Sequence, residues 1–255
     1  MTIDGRFRTR VLAGEFLAGT WLNLGSTITA EMAGLCGFDW VVLDHEHGPG
    51  SDTTIIQQLQ AIAGSPTVPL VRIAWNDPVR FKRVLDAGAH GVMVPYVSTP
   101  AEAAAAVGAM RYPPRGLRGV AKLTRSTGFG LTFDDYFAHA HEWLVTLTQI
   151  ETAEGVANAP AIAAIDGVDV LFVGPMDLTT SLGIPGQYEQ PQALEAFRQV
   201  AAAARAAGKA AGILLMNPAH VPMCRELGYS VIALGSDGGA ASAGLRQAAA
   251  ALRAR

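Results

Sequence analysis

Short runs of apolar residues recur along the chain, each followed by a polar loop and then by a longer, Ala-rich segment with apolar positions at helical spacing. The runs stand at Thr20 to Leu24, Phe38 to Leu43, Leu70 to Ala74, Gly91 to Val97, Leu144 to Ile150, Val170 to Val173, Ala211 to Leu215 and Val231 to Leu234. Continuous apolar runs of this kind suit strands buried on both faces, and their alternation with helices predicts βα units around a parallel sheet. The spacing places helices over roughly 27–36, 53–63, 78–87, 100–110, 154–164, 192–207, 219–227 and 240–252. Asp77, Thr99 and Asn217 each precede a proline, which is the order of an N-cap followed by Pro at the first helical position. Gly64, Gly88, Gly208 and Gly228 stand where a left-handed residue closes a helix.

Eight parallel units close into a (β/α)8 TIM barrel, although a doubly wound open sheet uses the same pattern; the barrel is the expectation. The 255 residues match one such barrel, and no composition shift divides them, so residues 1–255 are read as a single domain. The longest interruption, Arg111 to Ala140, is rich in Gly, Pro, Arg and aromatics, as functional insertions and interfaces often are. Its Arg111, Arg115, Arg118, Lys122 and Arg125 form a basic cluster, either a solvated or subunit-facing surface or a lure for anionic substrates.

Composition narrows the classes of partner. Half the residues are apolar and 16% are charged, enough for a large core and little for disorder. A net charge of −3 without a long basic run leaves no electrostatic footprint for nucleic acid or an anionic membrane, and no segment is apolar enough to span a bilayer. Small-molecule substrates and a cytoplasmic location are expected. Cys36 and Cys224 show no paired or metal-binding spacing and are read as buried or inert thiols.

In a parallel barrel the carboxyl ends of the strands share one mouth. The polar groups there are Asp44-His45-Glu46-His47, Arg72, Gln149-Ile150-Glu151 and Gly174-Pro175-Met176-Asp177. Glu151 and Asp177 follow adjacent strands, so together they can hold a hard divalent cation; equally, both can be carboxylates stabilising helix N-termini. His45 and His47 are alternate residues, either ligands or one catalytic and one structural histidine. Arg72 lies in an apolar strand, where a guanidinium needs an anion: an internal carboxylate, or a substrate carboxylate or enolate. Asp86 by itself reads as a surface or capping residue. The three lysines, Lys82, Lys122 and Lys209, lie outside the expected strands, which argues against a Schiff base and for a metal as the group that polarises a carbonyl.

Taken together, Gly37-Phe38-Asp39-Trp40-Val41-Val42-Leu43-Asp44 with Glu46-His47, Arg72, Leu85-Asp86-Ala87-Gly88-Ala89, Tyr112-Pro113-Pro114-Arg115-Gly116-Leu117-Arg118-Gly119, Gln149-Ile150-Glu151-Thr152 and Gly174-Pro175-Met176-Asp177-Leu178 resemble the class II pyruvate aldolases of the hydroxy-oxo-acid type. The likeness runs nearly end to end, and looks closest to the bacterial hydroxyketoacid aldolases. It implies His47 as the base, Asp44 as an orienting group, Arg72 as the enolate-stabilising arginine, and Glu151 and Asp177 as ligands of Mg²⁺, Mn²⁺ or Co²⁺. It also implies substrate contacts at Gln149, Gly174, Pro175, Met176 and Asp177. Asp86 falls on an aspartate said to raise the histidine's basicity, reaching the site from a neighbouring subunit of a homohexamer with exchanged C-terminal helices. His45 departs from the family's usual glycine, so a change in acceptor choice or local pKa is expected there. The rivals are a coenzyme A thioester lyase of the citrate-lyase or malyl type, which needs contacts for a long acyl carrier, and a non-catalytic oxo-acid-binding barrel.

Overall fold

In the computed structural model, which describes residues 3–253, the eight runs are eight parallel strands closed into a barrel in chain order. They are β1 (Leu17–Leu22), β2 (Trp40–Asp44), β3 (Val68–Arg72), β4 (Gly91–Val94), β5 (Val145–Ile150), β6 (Val170–Val173), β7 (Ala210–Leu215) and β8 (Tyr229–Ser236). The helices are α1 (Arg6–Leu12), α2 (Thr27–Leu35), α3 (Asp52–Ile62), α4 (Pro78–Ala87), α5 (Pro100–Met110), α6 (Phe133–Trp143), α7 (Ala153–Ala163), α8 (Pro175–Ser181), α9 (Pro191–Ala206), α10 (Val221–Leu227) and α11 (Asp237–Arg253). The barrel expectation therefore holds and the open sheet is excluded.

Strand alternation divides the apolar residues between two cores. Leu17, Trp21, Trp40, Val42, Leu70, Met93, Leu147, Phe172 and Val231 pack in the barrel interior, which Phe7 and Val11 of α1 also join. Val41, Leu43, Val71, Val92, Ile150, Leu171 and Ile213, at the intervening positions, pack with the helices. The interior is filled by aromatic rings that only glycines admit. A Cβ on Gly19 would lie 2.2 Å from Trp40, and one on Gly212 would lie 2.4 Å from Phe172. Burying a ring of that size stabilises the fold by about 1.5–3 kcal/mol, so the two glycines are part of the core's design. Continued upward, the same parity turns Asp44 (two past Val42), Arg72 (two past Leu70) and Gln149 (two past Leu147) inward at the mouth.

Several boundaries differ from the expectation. β1 begins at Leu17 rather than Thr20, because the Leu17 side chain is wholly buried and its carbonyl accepts the Trp40 indole N–H at 3.1 Å. Leu24 lies beyond the strand and is exposed. Helix α1 has only Phe7 and Val11 buried, too little pattern to reveal it. The insertion contains α6, and the Gly174–Asp177 turn opens the short helix α8. Asp77 and Thr99 cap α4 and α5 as expected, whereas Asn217 caps a 3-10 turn (Pro218–His220) ahead of α10. Gly88, Gly208 and Gly228 are left-handed, but Gly64 is not, since α3 ends on right-handed Ala63 and needs no left-handed residue. Cys224 is buried as expected; Cys36, the residue that ends α2, is exposed.

The basic cluster of the insertion is largely committed to internal bonds. Arg111 pairs with Asp166 at 2.8 Å, and Arg125 donates to the carbonyls of Ala87 and Leu59. Arg118 is fully buried against Tyr112 and Tyr136, donating to the Tyr136 hydroxyl at 2.9 Å and to Asp86 at 2.8 Å. No helix among the described residues is long and apolar enough to cross a membrane.

Candidate active site

β2 and β3 pair with Asp44 opposite Arg72, which fixes the first half of the site. Arg72 donates through Nε to Asp44 Oδ1 at 3.0 Å and through Nη2 to Oδ2 at 2.7 Å, while Nη1 lies 2.8 Å from Glu46 Oε2. Its guanidinium carbon stands 5.2 Å from the Trp21 ring centroid. Of the two anions expected for Arg72, the internal one is present, in a bidentate form that Lys cannot copy. Burial by itself would raise the Asp44 carboxyl, but the Arg72 hydrogen bonds, with backbone N–H groups of Glu46 and His47, hold it below the ordinary carboxylate range. Burial raises Glu46 against the pull of Arg72.

The second half comes from β5, β6 and the loop after β4. Glu151 is buried, and its Oε1 accepts from Gln149 Nε2 at 2.6 Å while its Oε2 accepts the Tyr96 backbone N–H at 3.1 Å. Asp177, half-buried in the first turn of α8, accepts the Tyr96 hydroxyl at 3.1 Å. A Cβ on Gly174 would come within 2.1 Å of Glu151 Oε1, so this position must be glycine for the carboxylate to sit where it does. Burial pushes the Glu151 carboxyl up to about 8; the Tyr96 N–H opposes this and the negative charges of Asp177 and Glu46 add to it. Gln149 Oε1 is buried without a hydrogen-bond partner. Met176 is exposed beside Asp177.

Neither carboxylate serves as a helix cap. Thr152, not Glu151, caps α7 by accepting the Gly155 N–H, and the α8 cap, Gly174, makes no side-chain bond. A buried acid near two other acids, with an unpaired amide oxygen beside it, is an environment that a cation would relieve. Among the described residues no group of three or more His, Cys, Asp or Glu side chains gathers to hold a metal. Two carboxylates leave the remaining positions of a hard divalent ion to water and substrate oxygens, as is common for Mg²⁺. The residues present fit such an ion.

The two histidines diverge. His47 is largely exposed at the mouth, its Nε2 4.0 Å from Glu46 Oε1. His45 turns its ring onto Gly50, where a Cβ would lie 2.6 Å from it, and burial lowers its pKa. The extended-strand reading of alternate residues therefore fails past Asp44, where β2 ends and the chain turns. Asp86, near the C-terminal end of α4, bonds Arg118 of its own chain and is not brought to His47 within it.

Tyr96 is the site residue that sequence reasoning missed, whereas Glu46 was placed at the mouth but given no role. Glu46 lay inside the recognised acidic segment, two places past Asp44. Tyr96 carried no periodic signal; it follows β4 in a left-handed conformation, φ 50°, that no pattern announces.

A closed parallel barrel with buried carboxylates, a clamped arginine and an open histidine at the carboxyl ends of its strands has the build of a barrel enzyme. The family model described as HpcH/HpaI aldolase/citrate lyase matches residues 17–243. The chain is 44% identical over 235 residues to a 5-keto-4-deoxy-D-glucarate aldolase of Salmonella paratyphi C, covering 92% of this chain and 91% of that one. An HpcH/HpaI aldolase/citrate lyase family protein from Burkholderia cenocepacia superposes with a TM-score of 0.93 at 39% identity, over 98% of this chain and all of the other. An HpcH/HpaI aldolase from Desulfitobacterium hafniense gives 0.91 at 26% identity, over 97% and 96%. The chain belongs to the HpcH/HpaI aldolase/citrate lyase family. It is an enzyme, an aldolase acting on carbon–carbon bonds of hydroxy-oxo acids.

Proposed function

We propose that the chain, as one barrel domain, catalyses reversible aldol cleavage of a 4-hydroxy-2-oxo acid to pyruvate, or a similar 2-oxo acid, and an aldehyde. The observation that carries this reading is the Glu151–Asp177 pair: a buried carboxylate raised to about 8 beside a second acid, within the field of Arg72. Glu151 and Asp177 would hold Mg²⁺, Mn²⁺ or Co²⁺. When bound, such an ion supplies Lewis acidity toward the 2-oxo carbonyl.

The protein's own groups supply the rest. His47, open to the mouth, takes the proton from the C4 hydroxyl as the C3–C4 bond breaks and returns it to C3 of the enolate, directly or through a water; in addition the same proton moves from C3 to the new C4 oxygen. Arg72, held by Asp44, offers its cationic edge to the enolate oxygen that develops at C2. Gln149 and the Gly174-Pro175-Met176 backbone flank the substrate carboxylate beside Asp177. Binding both partners in one mouth contributes the rate gain of proximity. A keto-deoxy-sugar diacid, the class in the name of the Salmonella relative, has the hydroxyl and keto pattern this chemistry needs.

The proposal extends to a homohexamer with exchanged C-terminal helices, which the open face of α11 supports. All described residues of α11 are unburied within one chain, with Leu245 and Leu252 exposed, so its apolar side is available to a second copy. In that assembly Asp86 would meet the neighbour's site. A cytoplasmic setting suits the substrates. Purified protein given 4-hydroxy-2-oxo acids should release pyruvate; no release from any such acid would contradict the proposal.

A further inference from the structure

Tyr96 makes two separate contacts to the two carboxylates and is the one described residue hydrogen-bonded to both. Its backbone N–H reaches Glu151 from β5's end at 3.1 Å, and its phenol O–H reaches Asp177 on α8 at 3.1 Å. The backbone contact is made from a left-handed conformation, φ 50°, which disfavours every residue with a Cβ except Asn and Asp. Such strain persists only where surrounding structure holds it, and it gathers at functional sites. The ring is restrained as well, tilted against Trp75 with centroids 6.3 Å apart at the exposed rim of the mouth.

The two bonds act differently on the two carboxylates. With Asp177 Oδ1 accepting from the phenol, Oδ2 is left for a cation. With Glu151 accepting from Gln149 on one oxygen and from Tyr96 on the other, its plane is set. Phenylalanine at position 96 would keep the ring, the Trp75 contact and the backbone N–H but release Asp177 to rotate.

We infer that Tyr96 is a positioning residue, which sets Glu151 and Asp177 at the spacing and orientation that a divalent cation requires. The inference rests on the reading that these two carboxylates form the cation site. Groups that orient metal ligands typically change metal affinity 10–100-fold when removed, although they touch no metal themselves.

The test is a titration of the full-length protein with Mn²⁺, following free Mn²⁺ by its electron paramagnetic resonance signal, for wild type, Tyr96→Phe and Asp177→Asn. Thermal unfolding of each metal-free protein is measured in parallel. The expected result is Mn²⁺ affinity weakened about tenfold or more in Tyr96→Phe, with the metal-free unfolding midpoint unmoved, and binding abolished in Asp177→Asn. Wild-type affinity in Tyr96→Phe, with Asp177→Asn defective, would overturn the role of Tyr96 and leave the carboxylate site standing. Weakened binding that tracks a lowered metal-free midpoint would overturn it too, by making Tyr96 a structural residue. A wild-type protein that binds no Mn²⁺, or an Asp177→Asn variant that binds normally, would overturn both readings.

Discussion

Arg72 and Asp44 face each other across adjacent strands and share two parallel hydrogen bonds, of 3.0 and 2.7 Å, at the top of the barrel interior. Both groups are buried, so neither charge is screened by water; Arg72 keeps the Asp44 carboxylate ionised against burial, and Asp44 gives the buried guanidinium its counter-charge. Removing one partner strands the other. Asp44→Ala is expected to destabilise the protein by about 3–5 kcal/mol, read as a lower midpoint in chemical denaturation. Arg72→Lys keeps a charge but loses the fork and the contact with Trp21, and should lower kcat/KM by about a hundredfold or more. An active, equally stable Asp44→Ala would show that the pair is dispensable.

Gly174 tests the placement of Glu151. Gly174→Ala introduces a methyl group 2.1 Å from Glu151 Oε1, too close to be accommodated without moving the carboxylate. Divalent-metal affinity should fall by roughly tenfold or more, measurable by calorimetry on the purified variant. Unchanged affinity would mean that Glu151 can be displaced without consequence for the cation.

His47 is exposed and bonds neither Glu151 nor Asp177, so on the proposed reading its loss should separate chemistry from metal binding. His47→Ala is expected to lower kcat by about 10²–10⁴-fold while leaving Mn²⁺ affinity in place. Parallel loss of turnover and metal affinity would instead make it a ligand.

His90 lies far from this chemistry, at the start of β4, and supplies a pH signature of the fold. Burial lowers its pKa to about 4, with Arg125 adding to the effect and Asp4 opposing it. Its Nε2 has no hydrogen-bond partner. The unfolded chain takes up this proton near the ordinary value of 6.5, so the native state is penalised as pH falls through the window from 6.5 to about 4. The stability present above 6.5 is lost across that window, amounting to about 3 kcal/mol. His90→Gln should flatten this part of the curve of unfolding free energy against pH; parallel curves for variant and wild type would contradict the assignment.

The barrel was legible because its strands are buried on both faces and its helices are capped by unambiguous residues such as Asp77 and Thr99. What escaped had weak local pattern. Helix α1 buries only two side chains, and β1's true start is set by Trp40 bonding to Leu17 from another strand. At the mouth, Asp44, Arg72, Gln149 and Glu151 were visible as polar residues ending apolar runs. Tyr96 was not, because its place depends on a single left-handed backbone conformation and on contacts 55 and 81 residues away. For Asp86, motif resemblance pointed to His47 of a neighbouring copy, a relationship outside one chain, within which its partner is the buried Arg118.

On the proposed reading, cleavage depends on a cation held between Glu151 and Asp177. The most direct measurement is pyruvate release from a 4-hydroxy-2-oxo acid before and after EDTA treatment, with Mg²⁺, Mn²⁺ or Co²⁺ then restored. In wild type, activity is expected to disappear with the chelator and return with metal, and in Asp177→Asn it is expected not to return. Activity indifferent to EDTA would contradict it.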